Sequence, residues 1–251
     1  MSRQTVAGVD WAGGTWLVVV MDRNGIGCHL ESDLESLWES STEFDRILID
    51  IPIGLPDNEE TLARREELDS LARSVTGKSG SVFPVPSRAA CKTARKGADF
   101  ETVVNKNKTA LDKGLTKQSY YIAPAIGEVD AFLRDTSTAK ETVREAHPEV
   151  CFRGLLGDQL DHSKDSAQGV GERLEALNPH LENPGVALEQ LCRALVDEST
   201  DITVDDVMDA LVLCVVANCS DEELRTLPEE PSEDSEGIPI QMLYCSKEPL
   251  V

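Results

Sequence analysis

Many of the usual signatures of function are missing from these 251 residues. Seven cysteines include no CxxC pair, and four histidines no HExxH, so the common zinc sites are excluded. Gly8, Gly13 and Gly14 have the wrong spacing for GxGxxG, which excludes a Rossmann dinucleotide fingerprint. The longest apolar runs, 16–21 and 210–217, are far too short to span a bilayer. No secretory apolar region precedes the strand-like run 5–9. An odd cysteine count, with Cys214 and Cys219 in or near an apolar helix, suits buried thiols in a reducing compartment, so a soluble cytoplasmic protein is expected. There is no internal repeat. Basic residues are scarce too: 24 Lys and Arg stand against 46 Asp and Glu, a net charge of −22 that disfavours a generic nucleic-acid or membrane adhesin.

What is present is an ordinary globular composition, 40% hydrophobic and 28% charged. The length suits one large domain, or one domain with a big insertion. The acid excess fits a cytoplasm at near-saturating salt, as in a halophilic archaeon, where the Debye length falls to about 3 Å and self-repulsion is screened. An acidic mesophilic protein is the alternative.

Along the chain, 5–10 alternates as a strand, a turn at 11–14 follows, and 15–21 is rich in β-formers. Asn24-Gly25 signals a hairpin into a third strand at 26–30. Residues 33–40 read as a short helix, and 46–51 as an apolar strand covered on both faces. Asn58 caps a charged helix closed by Gly77. The stretch 78–121 reads as an irregular basic insertion loop, and a helix is expected to start near Pro124. A strand at 141–147, a helix at 186–196, and an apolar helix capped by Thr203 or Asp205 follow. The span 221–237 holds eight acids and reads as an acidic surface loop, and 238–244 as a last strand. The pattern predicts a single α/β domain over 1–251, with three antiparallel strands, then parallel ones, flanking helices, and a large helical or irregular insertion after the fourth strand.

Residues 72–79, ending Gly77-Lys78-Ser79, satisfy a permissive phosphate-loop pattern. A charged helix precedes them, and Pro84 and Pro86 follow where a helix should open, so this is a chance match.

Four acids stand where structure alone would not ask for them. Asp10 ends the first strand beside the turn glycines, and Asp50 ends the apolar strand among Ile and Leu. Asp206 and Asp209 are spaced i, i+3, so they share one face of the last helix, continued by Val212, Leu213 and Val216. Both are expected to point towards the sheet edge. Local roles are available to each: Asp10 can bond turn amides, Asp50 can cap the next turn, and Asp206 can close a capping box with Thr203. Together they suggest clustered carboxylates, which repel unless a divalent cation neutralises them. All-oxygen donors select Mg²⁺ or Mn²⁺, and a pair of such ions is the usual arrangement for phosphodiester hydrolysis.

The chain also resembles the predicted ribonuclease-H-like nuclease family, number 429 among the domains of unknown function. The resemblance rests on Gly8-Val-Asp10-Trp-Ala-Gly13-Gly14, on Ile49-Asp50-Ile51-Pro52-Ile53-Gly54-Leu55-Pro56, and on Arg65 to Arg73 with Asp69 between. Ser81-Val-Phe-Pro84-Val-Pro86-Ser-Arg88, Gln118 to Asp130, and Glu145-Ala-His147-Pro148-Glu149 also match, as do Lys164 with Arg173, Asp205-Asp206-Val-Met-Asp209-Ala210 and Gly237-Ile238. These segments run in order over nearly the whole chain. The resemblance implies a ribonuclease-H-like fold, with Asp10 as the first-strand acid, Asp50 as the fourth-strand acid, and Asp206 and Asp209 as paired helix acids. Glu149 falls on no position the better-known enzymes of that fold use; it is expected as an auxiliary acid or ligand.

For substrate, residues 88–117 carry eight basic side chains against three acids, a local +5 where a polyanion can dock. Arg88 and Lys92 in that stretch, with Lys164 and Arg173, are the expected phosphate contacts; Tyr120 and Tyr121 can stack on bases or pack as core. His147 can orient a ligand or serve as a buried, hydrogen-bonded histidine. The leading expectation is a divalent-metal-dependent nuclease with Asp10, Asp50 and Asp209 as ligands, Asp206 as a fourth ligand or outer acid, and nucleic acid as substrate. A non-catalytic binding module of the same fold, or an actin-like or sugar-kinase-like ATP site, are the alternatives.

Overall fold

The computed structural model describes residues 4–12, 14–40, 42–77, 82–196 and 201–251. Gly13 of the first turn, Lys78 and Ser79 of the chance phosphate-loop match, and Ser81 of the family segment lie outside them. The chain divides into two compact units: Met1–Asp50, Thr142–Arg225 and Leu243–Val251 form the first, and Ile51–Glu141 with Thr226–Met242 the second.

The first unit is built on a five-stranded mixed sheet in the order β3-β2-β1-β4-β5. In it β2 (Thr15–Asp22) runs antiparallel to both β1 (Val6–Ala12) and β3 (Gly25–Glu31). After α1 (Leu34–Glu39), β4 (Arg46–Ile49) pairs parallel with β1, and β5 (Val143–Glu145) pairs parallel with β4. The hairpin turn falls one residue earlier than Asn24-Gly25 suggests, with Asp22 opposite Gly25. The Asp22 carboxylate decides this, accepting from the Asn24 amide at 2.7 Å and the Gly25 amide at 3.2 Å.

On this sheet lie α9 (Pro184–Ala194) and α10 (Val204–Ala217), with α7 (Pro148–Leu156) packed on α10 and α8 (Ala167–Leu177) on α7 and α9. Every residue of α10 from Val207 to Ala217 is buried, not just the expected face, because the helix packs on β1, β2 and β4 while α7 and α9 cover it. Gly8 makes this contact possible: a Cβ there would stand 2.1 Å from the Ala210 carbonyl oxygen and 2.2 Å from the Cys214 amide. All seven cysteines are free thiols. None of the helices among the described residues is long and apolar enough to cross a membrane.

The second unit is largely helical, with α2 (Glu59–Thr76), α3 (Arg88–Ala94), α4 (Phe100–Leu111) and α5 (Lys117–Asp135). A four-residue helix, α6 (Ala139–Thr142), leads to β5. The described part of 78–121 is therefore not an irregular loop. Its helices are started by Ser87, Asp99 and Thr116, whose side chains accept the Ala90, Thr102 and Ser119 amides. Pro124 lies inside α5 and does not begin it. The expected acidic loop at 221–237 is mostly strand β6 (Leu224–Glu233), which pairs with β7 (Pro239–Cys245) in a separate two-stranded sheet. The β6 acids Glu229, Glu230 and Glu233 face solvent along a ribbon, which composition alone does not distinguish from a loop, whereas Asp234 just beyond the strand is buried.

Arg88 holds this unit together. Its guanidinium donates to Asp130 at 2.9 Å, to Asp57 at 2.7 Å, and to Asp234, while Asp130 also accepts from Arg134. A Gly8→Ala substitution in the first unit is expected to cost about 3 kcal/mol or more, because backbone on both sides must part; urea unfolding should show a matching fall in midpoint.

Candidate active site

The parallel register brings two of the predicted acids together. Val9 pairs with Ile49, and the Asp50 amide donates to the Val9 carbonyl at 3.0 Å, so Asp10 and Asp50 sit one step further on, side by side at the carboxyl ends of adjacent strands. In open α/β sheets this edge is where ligands bind. Asp10 is two residues beyond Gly8 and so leaves β1 on the same face, the face that meets α10. There α10 contributes Asp209, next to the Ala210 carbonyl that overlies Gly8.

Asp10 and Asp209 are almost wholly buried, and Asp50 retains some surface. Burial raises the Asp10 carboxyl well above the ordinary range, and repulsion from Asp50, Asp209 and Asp206 raises it further, with Lys164 pulling the other way. Burial, then Asp209, raises Asp50 likewise, and Glu145 and Glu149 add to it. Asp209 is pushed up to about 6, by burial first and by Asp205 and Glu149 after it, although Lys164 opposes the shift. Three carboxylates from three different elements thus form one mutually repelling group.

Asp206 reaches the group only through its charge. Its carboxylate closes the capping box of α10, accepting the Thr203 amide at 2.7 Å and the Thr203 hydroxyl at 2.8 Å, and it remains part-exposed. It does not point into the sheet edge as its partner Asp209 does. Glu149, at the start of α7, forms an ion pair with Arg173, and its amide donates to His147 Nδ1 at 3.2 Å, so His147 serves as the helix cap. Two acids that the spacing did not single out join the site. Glu145 ends β5 and is buried, and Asp205 binds Lys164. The alternation of β5 was the available signal for Glu145; nothing in the sequence signals the pairing of Lys164 with α10.

The expected phosphate contacts fare unevenly. Arg173 is only 1% exposed and is spent on Glu149, the Gly169 carbonyl at 2.9 Å and the Phe152 ring, so it is a packing element, not a surface cation. Arg88 is likewise consumed by its three carboxylates in the second unit. An arginine this well covered needs acid partners, and these lie too far off in sequence to be anticipated. Lys92 is exposed on α3. Tyr120 packs edge-on to Phe100 and donates to the Ala98 carbonyl, whereas Tyr121 stays 74% exposed. Lys164 is half-exposed, with Nζ 2.6 Å from Asp205 and 2.9 Å from Asp209. Burial lowers its pKa, but Asp209 and Asp205 more than offset this and hold the ammonium charged.

Asp10, Asp50 and Asp209 suit a hard divalent cation in charge and chemistry, being all carboxylate oxygen, and one cation, the Lys164 ammonium, already lies against Asp209 and its neighbour Asp205. Among the described residues, however, no three His, Cys, Asp or Glu side chains converge closely enough to hold an ion as they stand.

The profile of a family described as a protein of unknown function (DUF429) matches residues 8–233. The chain belongs to that family. No curated protein and no solved structure matches it. The DUF429 match spans Asp10, Asp50, Glu149, Lys164, Asp206 and Asp209.

The raised Asp209 value carries a sign for stability. Between about pH 4 and 6 the folded protein keeps a proton that the unfolded chain has lost, so stability falls as pH rises through that window and the full penalty remains at pH 7. In chelator, Asp209→Asn is expected to stabilise the protein by about 1–2 kcal/mol at pH 7, with the gain fading towards pH 4; paired thermal melts across pH read this out.

Proposed function

We propose that this chain is a divalent-metal-dependent nuclease of ribonuclease-H-like fold, hydrolysing phosphodiester bonds of nucleic acid. The observation that carries the reading is the gathering of Asp10, Asp50 and Asp209 at the carboxyl edge of a mixed sheet, each with its carboxyl pushed up by burial first and by neighbouring acids after it. The order of three antiparallel strands followed by parallel ones supports the fold.

In this reading Asp10, Asp50 and Asp209 hold Mg²⁺ or Mn²⁺. When bound, such an ion offsets the carboxylate charge, attracts a phosphodiester and polarises it. Asp206 fixes the start of α10 and so the position of Asp209, and Glu149 anchors Arg173 and braces α7 against α8. Exposed Lys92, Arg95, Lys96, Lys106 and Lys108, with Tyr121, give the second unit the surface on which a polyanion docks. The −22 charge is read as adaptation to a near-saturated salt cytoplasm, so assays belong in high salt.

One observation favours a second reading, a non-catalytic nucleic-acid or protein binding module: the Lys164 ammonium itself neutralises part of the acid group. Cleavage assays on RNA, DNA and branched duplexes with Mn²⁺ or Mg²⁺ separate the two. Asp50→Asn is expected to lose cleavage by about 100-fold or more while its near-ultraviolet circular dichroism stays native. Binding without cleavage in the wild type, or unchanged cleavage in the variant, would favour the module.

A further inference from the structure

Lys164 fits poorly as a surface phosphate contact. It lies in the turn just before α8, and its side chain reaches back to α10, where Nζ bridges Asp205 at 2.6 Å and Asp209 at 2.9 Å. The Asp209 side chain is only 10% exposed, so an ammonium that touches it has entered the acid group. The lysine is itself 40% exposed, and it lines a cavity of about 230 Å³ with Val170, Thr203, Val204 and Met208, so the ammonium has room to leave.

Those two contacts also bear on why the acids do not close around an ion. The bond to Nζ takes Asp209 Oδ2, one of the two oxygens this carboxylate could offer a divalent cation shared with Asp10 and Asp50. A lysine ammonium is a compact, strongly hydrated charge on a flexible stem, able to hold such a place and to yield it to a doubly charged ion.

Resting on the metal-dependent reading above, we propose that Lys164 is a tethered cation that occupies the α10 end of the carboxylate site until a divalent ion displaces it. Lys164 is then a positioning residue: it offsets part of the acids' mutual repulsion in the empty site and sets the concentration at which metal enters. Displacement leaves the ammonium free beside the loaded site.

Two measurements on the full chain in high salt test this. Free Mn²⁺, followed by its electron spin resonance signal, gives the affinity of wild type and Lys164→Gln; the variant is expected to bind on the order of tenfold tighter. Removing a positive charge tightens cation binding even from a distance, so displacement needs its own readout. Acylation of wild-type Lys164, quantified by mass spectrometry, is expected to rise several-fold when Mn²⁺ is added, with Lys92 labelling unchanged as the internal reference. Equal affinity in the two proteins, or Lys164 labelling indifferent to Mn²⁺, would overturn the tethered-cation role while leaving the metal site standing. No Mn²⁺ binding to either protein would remove the metal-dependent reading itself, and this inference with it.

Discussion

The site depends on how closely a helix can approach a strand. Gly8 has no side chain where Ala210 and Cys214 present their backbone, so α10 lies directly on β1. Any larger residue would lift the helix and withdraw Asp209 from Asp10 and Asp50. The apolar character of α10, buried from Val207 to Ala217, supplies the burial energy that holds the contact. Hydrophobic packing thus buries like charges together, and burial first, then repulsion, drives the carboxyl groups towards their neutral forms.

The two units handle buried charge differently. In the second, Arg88 gathers Asp57, Asp130 and Asp234, and Arg65 pairs with Asp69, so each buried guanidinium faces at least one acid. In the first, Arg173 pairs with Glu149 in the same way, but among the described residues no arginine pairs with Asp10 or Asp50, and Lys164 reaches the neighbouring Asp209. Paired buried charges brace a fold; an under-compensated cluster at a sheet edge is what a functional site requires. That contrast separates Arg88 and Arg173, which the sequence suggested as phosphate contacts, from the acids that define the site.

Much of the first unit was legible from pattern. The strand alternation at β1, the apolar run of β4, and the Thr203 capping box placed Asp10, Asp50 and Asp209 on their elements. The i, i+3 spacing misled at Asp206, because a cap hydrogen bond outcompeted the direction its Cα would give. The helices α3 and α4 were hidden by their charge, although Ser87 and Asp99 stood ready as caps; few apolar residues obscured the helical period. Partners such as Arg173 with Glu149 or Lys164 with Asp209 arise only from tertiary packing, and no local spacing encodes them.

The central claim is that Asp10, Asp50 and Asp209 form one cation site. The most direct measurement is a calorimetric titration of Mn²⁺ and Mg²⁺, in high salt, into wild type and Asp10→Asn. Binding to the wild type that is lost in the variant is expected. No binding to the wild type, or equal binding to both proteins, would contradict it.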